Sequence, residues 1–288
     1  MNQFFGRIIS AVLLMTVAVF SSAYADDERA FDTPYGDRFW FSLGAYSPRL
    51  DTTVQVGNNN GEVGTRIDFE SNFGMSKNKT LPQLRASWQI ARKHRLDFNA
   101  FSLKRDGSQT SSVNIKWGDK EFEAGDVPIQ AFFDVDVFAL YYSYALVADP
   151  VKEFSLSIGL SIQDISTGLR GTLEGDDQLS TDQVGVTAPL PSIGLSGGWA
   201  FTDNRKWILS YRLGAFAIAL DLDQGSDEEI KGKLIDSGVY IYHKTFKHIG
   251  FGGGIDYFRI DVDYEKRDLA ANLEYSFIGP TLFVTAYF

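Results

Sequence analysis

The chain has 288 residues, and 37 Asp and Glu against 27 Lys and Arg give a formal charge of −10, which argues against a nucleic-acid partner. It has no cysteine, so thiol catalysis, thiolate metal sites and disulfides are excluded. Its 23 Phe, 13 Tyr and 27 Gly against 8 Pro and 3 Met favour strands and turns.

The N-terminus sets the compartment. Arg7 precedes an apolar run from Ile8 to Phe20, and Ser21-Ser22-Ala23-Tyr24-Ala25 supplies a small-x-small cleavage pattern before acidic Asp26-Asp27-Glu28. Residues 1–25 read as a secretory signal peptide, too short for a membrane anchor. No later apolar run reaches about 18 residues, so no transmembrane helix is expected. Residues 26–37 read as an acidic periplasmic leader, and 38–288 as one domain.

The first strand is Phe39-Trp40-Phe41-Ser42-Leu43-Gly44-Ala45-Tyr46. Residues 51–80 are polar and carry the turn cluster Gly57-Asn58-Asn59-Asn60-Gly61, around which Thr52–Val56 and Val63–Phe69 can pair. Long alternating segments then meet at short polar junctions: Arg92-Lys93-His94-Arg95, Asp149-Pro150, Asp203-Asn204-Arg205 and Lys247. The opposite connections are longer and more polar: 106–127, 171–188, 223–232 and 264–272. Upward strands are expected near 38–49, 94–105, 152–168, 206–221 and 248–263. Downward strands are expected near 81–92, 129–147, 189–202, 233–246 and 273–288. Pro82, Pro128, Pro191 and Pro280 would each begin a downward strand. Hairpins at 63–69 and 113–117 are expected outside, as extensions of the first two long loops.

Side chains alternate between two faces. Phe154, Leu156, Ile158, Leu160 and Ile162 oppose Ser155, Ser157, Gly159, Ser161 and Gln163. A soluble sandwich has the same period. Strands of 12 or more residues and aromatics near the short turns (Phe39, Trp88, Tyr142, Phe154, Trp199, Trp207, Phe251) favour a membrane span instead. A mean hydropathy of −0.12 fits, because only alternate residues meet lipid.

The last strand, Phe277–Phe288, puts Leu282, Val284, Ala286 and Phe288 on one face and Thr281, Phe283, Thr285 and Tyr287 on the other. It resembles the C-terminal sorting signal of bacterial outer-membrane β-barrel proteins, with Leu282, Val284, Ala286, Tyr287 and Phe288 as assembly signal. The resemblance implies an integral outer-membrane location, and periplasmic chaperones and the barrel-assembly machinery as partners during biogenesis. The expected fold is all-β: an antiparallel up-and-down transmembrane β-barrel of about ten strands, with eight or twelve as alternatives. Phe277–Phe288 should pair with both 248–263 and 38–49.

If the apolar face meets lipid, Arg85, Gln89, Asp97, Asn99, Gln163, Arg212 and Asp256 line the lumen. Arg85, Asp97, Asn99, Arg212 and Asp256 form the expected polar network, since isolated buried charges are expensive. It reads either as a selective pore or as an internal plug. Gly250, Gly252 and Gly254 face inward and leave room for large neighbours such as Arg212, or permit local curvature.

Chemistry-bearing motifs are sparse. His94, His243 and His248 all fall near short turns, and none is high on the barrel where a lipid-cleaving Ser-His pair would sit. No metal, cofactor or catalytic residue is expected. External carboxylates (Glu174, Asp176, Asp177, Asp223, Asp227, Glu228, Glu229, Asp261, Asp263, Glu265, Asp268) read as a solvated surface or as a site for divalent cations shared with lipopolysaccharide. Asp134 and Asp136 near the outer mouth could bias a pore toward cations. The expected function is a non-enzymatic porin-like outer-membrane protein, structural or a narrow passive channel, in contact with outer-membrane lipid and lipopolysaccharide. The alternatives are a surface-binding or adhesion module acting through loops 51–80 and 106–127 and, less favoured, a rim enzyme acting on lipid.

Overall fold

A computed structural model describes residues 33–57, 64–125, 128–173, 176–221, 229–266 and 269–288. The expected signal peptide, the whole of Asn58–Gly61 in the expected turn, and Glu174, Asp223, Asp227, Glu228 and Asp268 lie outside the described residues.

In chain order the elements are β1 (Phe39–Tyr46), β2 (Arg49–Val56), β3 (Arg66–Asp68), the single-turn helix α1 (Phe69–Asn72), β4 (Leu81–Ala91) and β5 (His94–Gln109). Then come β6 (Ile115–Trp117), β7 (Lys120–Phe122), β8 (Ile129–Ala148), β9 (Lys152–Leu173) and β10 (Asp176–Ala200). The last are β11 (Trp207–Asp221), β12 (Glu229–His243), β13 (Ile249–Lys266) and β14 (Leu269–Tyr287). Ten of these, β1, β4, β5 and β8 to β14, form one antiparallel wall. It closes as expected: β14 pairs with β13 from Ile249↔Ala286 and with β1 from Trp40↔Tyr287 to Tyr46↔Thr281. Phe39 and Phe288 exchange backbone hydrogen bonds of 3.0 and 2.8 Å at the seal. The short turns and both ends of the wall share one side, the periplasmic side of such barrels.

Several strands reach further outward than alternation suggests. The 171–188 connection is largely strand, because β9 and β10 pair up to Asp176↔Leu173. Its Thr181, Val184, Val186 and Thr187 are β-branched and favour extension. Two prolines depart from their expected places. Pro191 and Pro280 lie inside β10 and β14, not at their starts. At Pro280 the neighbouring strand is interrupted: the chain bulges at Ser47-Pro48, and the Ser47 N–H donates to the Pro280 carbonyl (2.9 Å). Beyond the bulge β2 continues outward along β14, from Ile278↔Arg49 to Ala271↔Val56, and pairs with β3.

The two extra hairpins stay out of the ten-stranded wall but are not free loops. β4 begins at Leu81, so the outer wall between β2 and β5 lacks a strand. Residues 69–80 fill it. Asp68 caps α1 by accepting from the Ser71 N–H (2.8 Å), and the Leu50 N–H donates to the Lys77 carbonyl (2.7 Å). Gly107 of β5 permits the close fit, since a Cβ there would lie 2.4 Å from the Phe73 carbonyl oxygen. The β6–β7 hairpin folds over the mouth and buries Trp117 and Phe122 completely. These segments join Leu50, Val54, Phe69, Phe73, Phe133, Leu169, Ile260 and Phe277 in an apolar core filling the outer half of the lumen. Loops 51–80 and 106–127 therefore hold much of their apolar surface inside the barrel.

The outer face is apolar below that level. Leu43, Leu156, Ile158, Ile193, Leu213 and Leu282 are exposed, rimmed by Trp88, Trp199, Trp207 and Phe251. On β9 the apolar band stops at Ile162, and the next outward residue, Asp164, is exposed and charged. The hydrocarbon boundary thus falls between these two positions.

Candidate functional site

The periplasmic half of the lumen holds the expected polar side chains, but their partners differ from expectation. Arg85, Gln89, Asn99, Gln163 and Asp256 are buried and point inward, with Asp97 and Arg212 half-buried beside them. The two arginines and two aspartates do not pair with one another. Alternation places them on the right face but gives no distance across the lumen.

Three clusters fill the space. In the first, Arg95 pairs with Glu153 and with Asp97 (3.0 Å), and Glu153 also accepts from Ser155 (3.0 Å). The hydroxyls of Ser143, Ser157 and Ser196 form a triangle with sides of 2.8, 3.0 and 3.1 Å against it. In the second, Arg212 pairs with Asp236 (3.1 Å), and the Tyr141 hydroxyl donates to the same carboxylate. In the third, the Arg85 guanidinium lies between the rings of Tyr240 (4.3 Å) and Phe283 (4.4 Å), and the Tyr240 hydroxyl donates to Asp256. Glycines give these rings room: a Cβ on Gly252 would lie 2.3 Å from the Phe283 ring, and one on Gly254 2.4 Å from the Tyr240 ring. The inward glycines thus accommodate aromatics, not Arg212.

The leader seals the floor. The Tyr35 hydroxyl donates to the Gly197 carbonyl (3.0 Å) and lies 2.9 Å from Ser210 Oγ, under the Arg95 guanidinium. Lys244 bonds to the Tyr35 carbonyl and pairs with Asp37. Between the clusters lie cavities of about 50 and 20 Å³. These hold a few waters at most. Unpartnered polar atoms of Arg85, Asn99, Arg212 and Asp256 border them.

Arg95, Glu153, Asp236, Tyr141, Tyr240 and Tyr35 were absent from the expected network. Parity could have found most of them: Arg95 shares a face with Asp97 and Asn99, and Glu153 with Ser155 and Ser157. The basic run around Arg95 reads instead as a solvated turn. The outer core hides a further pair, Arg105 with Glu70, both fully enclosed and bonded to Thr52. Asp134 and Asp136 alternate with buried Phe133, Val135 and Val137, so they face outward and line no pore.

The histidines sit apart from the lumen. His94 Nδ1 lies 2.6 Å from the Tyr142 hydroxyl, the His243 ring packs at a tilt against Trp207 with centroids 4.5 Å apart, and His248 contacts the Tyr287 carbonyl (3.1 Å). Among the described residues no three His, Cys, Asp or Glu side chains converge. Asp263 accepts from Asn272 (2.6 Å) on the outer surface.

No family model matches the sequence, and no curated protein does either. Solved structures do. The outer membrane protease OmpT from Escherichia coli aligns over 86% of this chain and 97% of its own, at 12% identity and a TM-score of 0.52. Neisserial surface protein A aligns over 87% and 97% at 10% identity and a TM-score of 0.30. The outer membrane protein OprG from Pseudomonas aeruginosa aligns over 88% and 99% at 8% identity and a TM-score of 0.33. Only the OmpT likeness bears weight among these three, and at such identity it shows the fold alone. The chain has the fold of the bacterial outer-membrane β-barrels.

Proposed function

We propose that this protein is a non-enzymatic, integral outer-membrane barrel whose lumen is sealed, so that it acts as a structural and surface-presenting element and not as a passive channel. It reaches that membrane by export through the cleaved signal peptide 1–25. Contact with outer-membrane lipid and lipopolysaccharide, and delivery by periplasmic chaperones and the barrel-assembly machinery, belong to the same proposal.

One observation carries it. The bore is filled twice over, by an apolar core in the outer half and by paired charges with the Tyr35 plug in the inner half. The cavities described between the clusters, of about 50 and 20 Å³, are of the size of one or a few waters. The non-enzymatic assignment is supported by the engagement of all three histidines near the short turns.

Planar-bilayer recording of refolded protein tests this. Wild type should give no discrete current steps. Regular single-channel steps from pure wild type would overturn the sealed-lumen assignment.

A further inference from the structure

The wall is not closed evenly. β10 pairs with β9 along its whole length, but with β11 only from Ile193↔Ala215 to Ala200↔Ile208. Above Ile193, no described residue pairs with the other edge of β10, while β11 continues outward on β12 to Asp221↔Glu229. A seam therefore opens between β10 and β11.

Strand parity tells which groups line it. A Cβ on Gly168 of β9 would lie 2.4 Å from the Asp182 carbonyl oxygen, so even-numbered residues of β10 turn their backbone toward β9. A Cβ on Gly194 would lie 2.1 Å from the Leu213 carbonyl oxygen, which fits odd-numbered Leu195 bonding to β11. Odd-numbered residues thus aim N–H and C=O into the seam.

The sequence of that edge changes at the hydrocarbon boundary. Pro189 and Pro191 pair with Ile162 and Leu160, within the apolar band. They have no N–H, so the edge presents no unsatisfied donor to lipid. Thr187 pairs with Asp164, already above the band. From there outward the N–H groups of Thr187, Gly185, Gln183 and Thr181 have no strand partner among the described residues. Exposed edges are usually blunted by Lys or Pro, but residues 178–188 contain neither. Val184 and Val186, on the lumen-side face, are 38% and 49% exposed. Two described carboxylates flank this edge, exposed Asp164 of β9 opposite Thr187 and Asp182 of β10, and residues 176–193 contain no basic residue. Lys120 of β7 offsets one of them, at 3.7 Å from Asp182, and takes the Thr181 carbonyl (3.0 Å).

We propose that the outer part of this edge, Thr181–Thr187, is a docking site for a cationic peptide segment in extended conformation, which adds to β10 as an antiparallel strand where β11 has diverged. Main-chain bonds to Gln183, Gly185 and Thr187 hold it, Val184 and Val186 pack alternate apolar side chains, and Asp164 on the opposite, outward face favours Lys or Arg between them. A lipid chain fits less well, because it satisfies none of these N–H groups. The assignment rests on the surface-presenting function above and names its partner class.

The test uses the full folded barrel in detergent and a labelled Lys-Val alternating heptapeptide, read by fluorescence anisotropy. Wild type should bind it, and Gln183→Pro should weaken binding tenfold or more. That substitution removes a seam-facing donor without touching the β9 ladder, and the heat-dependent shift in gel mobility verifies that the barrel is folded. The same peptide N-methylated at alternate residues should not bind, and spermine should not displace the parent peptide at matched charge. Asp164→Asn should weaken binding severalfold and flatten its salt dependence. Absence of binding to wild type, equal binding by Gln183→Pro or the methylated peptide, or full displacement by spermine would overturn the docking site. Conductance is measured separately. A silent wild type that ignores the peptide loses only the partner assignment, whereas a conducting one loses the sealed barrel.

Discussion

The two halves of the lumen are filled by opposite means. The outer half is an apolar core that encloses a single described ion pair, Arg105–Glu70, with both side chains at 2% exposure or less. The inner half is a polar network in which most charged groups have more than one neighbour: Arg95 has Glu153, Asp97, Ser196 and the Tyr35 ring. The difference teaches that charge in a barrel interior is tolerable by redundancy or by complete enclosure. A redundant network degrades gradually. An enclosed pair fails at once, because no second described carboxylate pairs with Arg105; only the Thr52 hydroxyl and the Ser76 carbonyl remain.

The largest expected effect is at the enclosed pair. Glu70→Ala leaves Arg105 buried and charged over the Phe133 ring and should cost about 3–5 kcal/mol in urea unfolding of the refolded barrel. Joint replacement, Glu70→Leu with Arg105→Met, should recover most of that loss. If the double variant is as weak as the single, the pair does not act as a unit. Glu153→Ala should cost less, about 2 kcal/mol, because Asp97 remains on Arg95. Equal losses at Glu70 and Glu153 would erase the proposed contrast. Ser157→Ala, which opens the hydroxyl triangle but leaves Ser143 and Ser196 in contact, should cost about 1 kcal/mol in the same assay.

The smallest effect lies outside both halves, at the β8–β9 turn. Asp149 accepts from the Lys152 N–H (2.8 Å) and the Val151 N–H (2.9 Å), which hold its carboxyl below the ordinary carboxylate range. A lowered folded value stabilises the protein above the unfolded value, near pH 4, and the benefit is lost as pH falls through the folded value. The gap in unfolding midpoint between wild type and Asp149→Ala should be present at pH 7 and close toward pH 2. A gap that widens in acid would contradict the turn's role.

Much of the wall was legible because lipid imposes a two-residue period on every spanning strand. That period placed Leu156, Ile158 and Leu160 outside and Arg85, Asn99 and Asp256 inside. Closure also gave Phe277–Phe288 its expected pairing with 38–49, since a strand in hydrocarbon must satisfy its backbone on both edges, and the structure sets the register at Phe288 with Phe39. The period weakens where water is on both sides. The 171–188 connection read as a loop although Thr181–Thr187 is strand, and the hairpin segment at 113–117 read as an external extension although the β6–β7 hairpin buries Trp117 and Phe122.

The sequence by itself indicated an outer-membrane barrel of about ten strands and the facing of most spanning residues, because alternation is a local property of the chain. Only the tertiary structure decided which charges meet, how Tyr35 and residues 69–80 close the bore, and where β10 parts from β11. Those depend on distances across the barrel, between residues as far apart as Tyr35 and Ser210 or Arg95 and Glu153, which only closure of the ten-stranded wall sets.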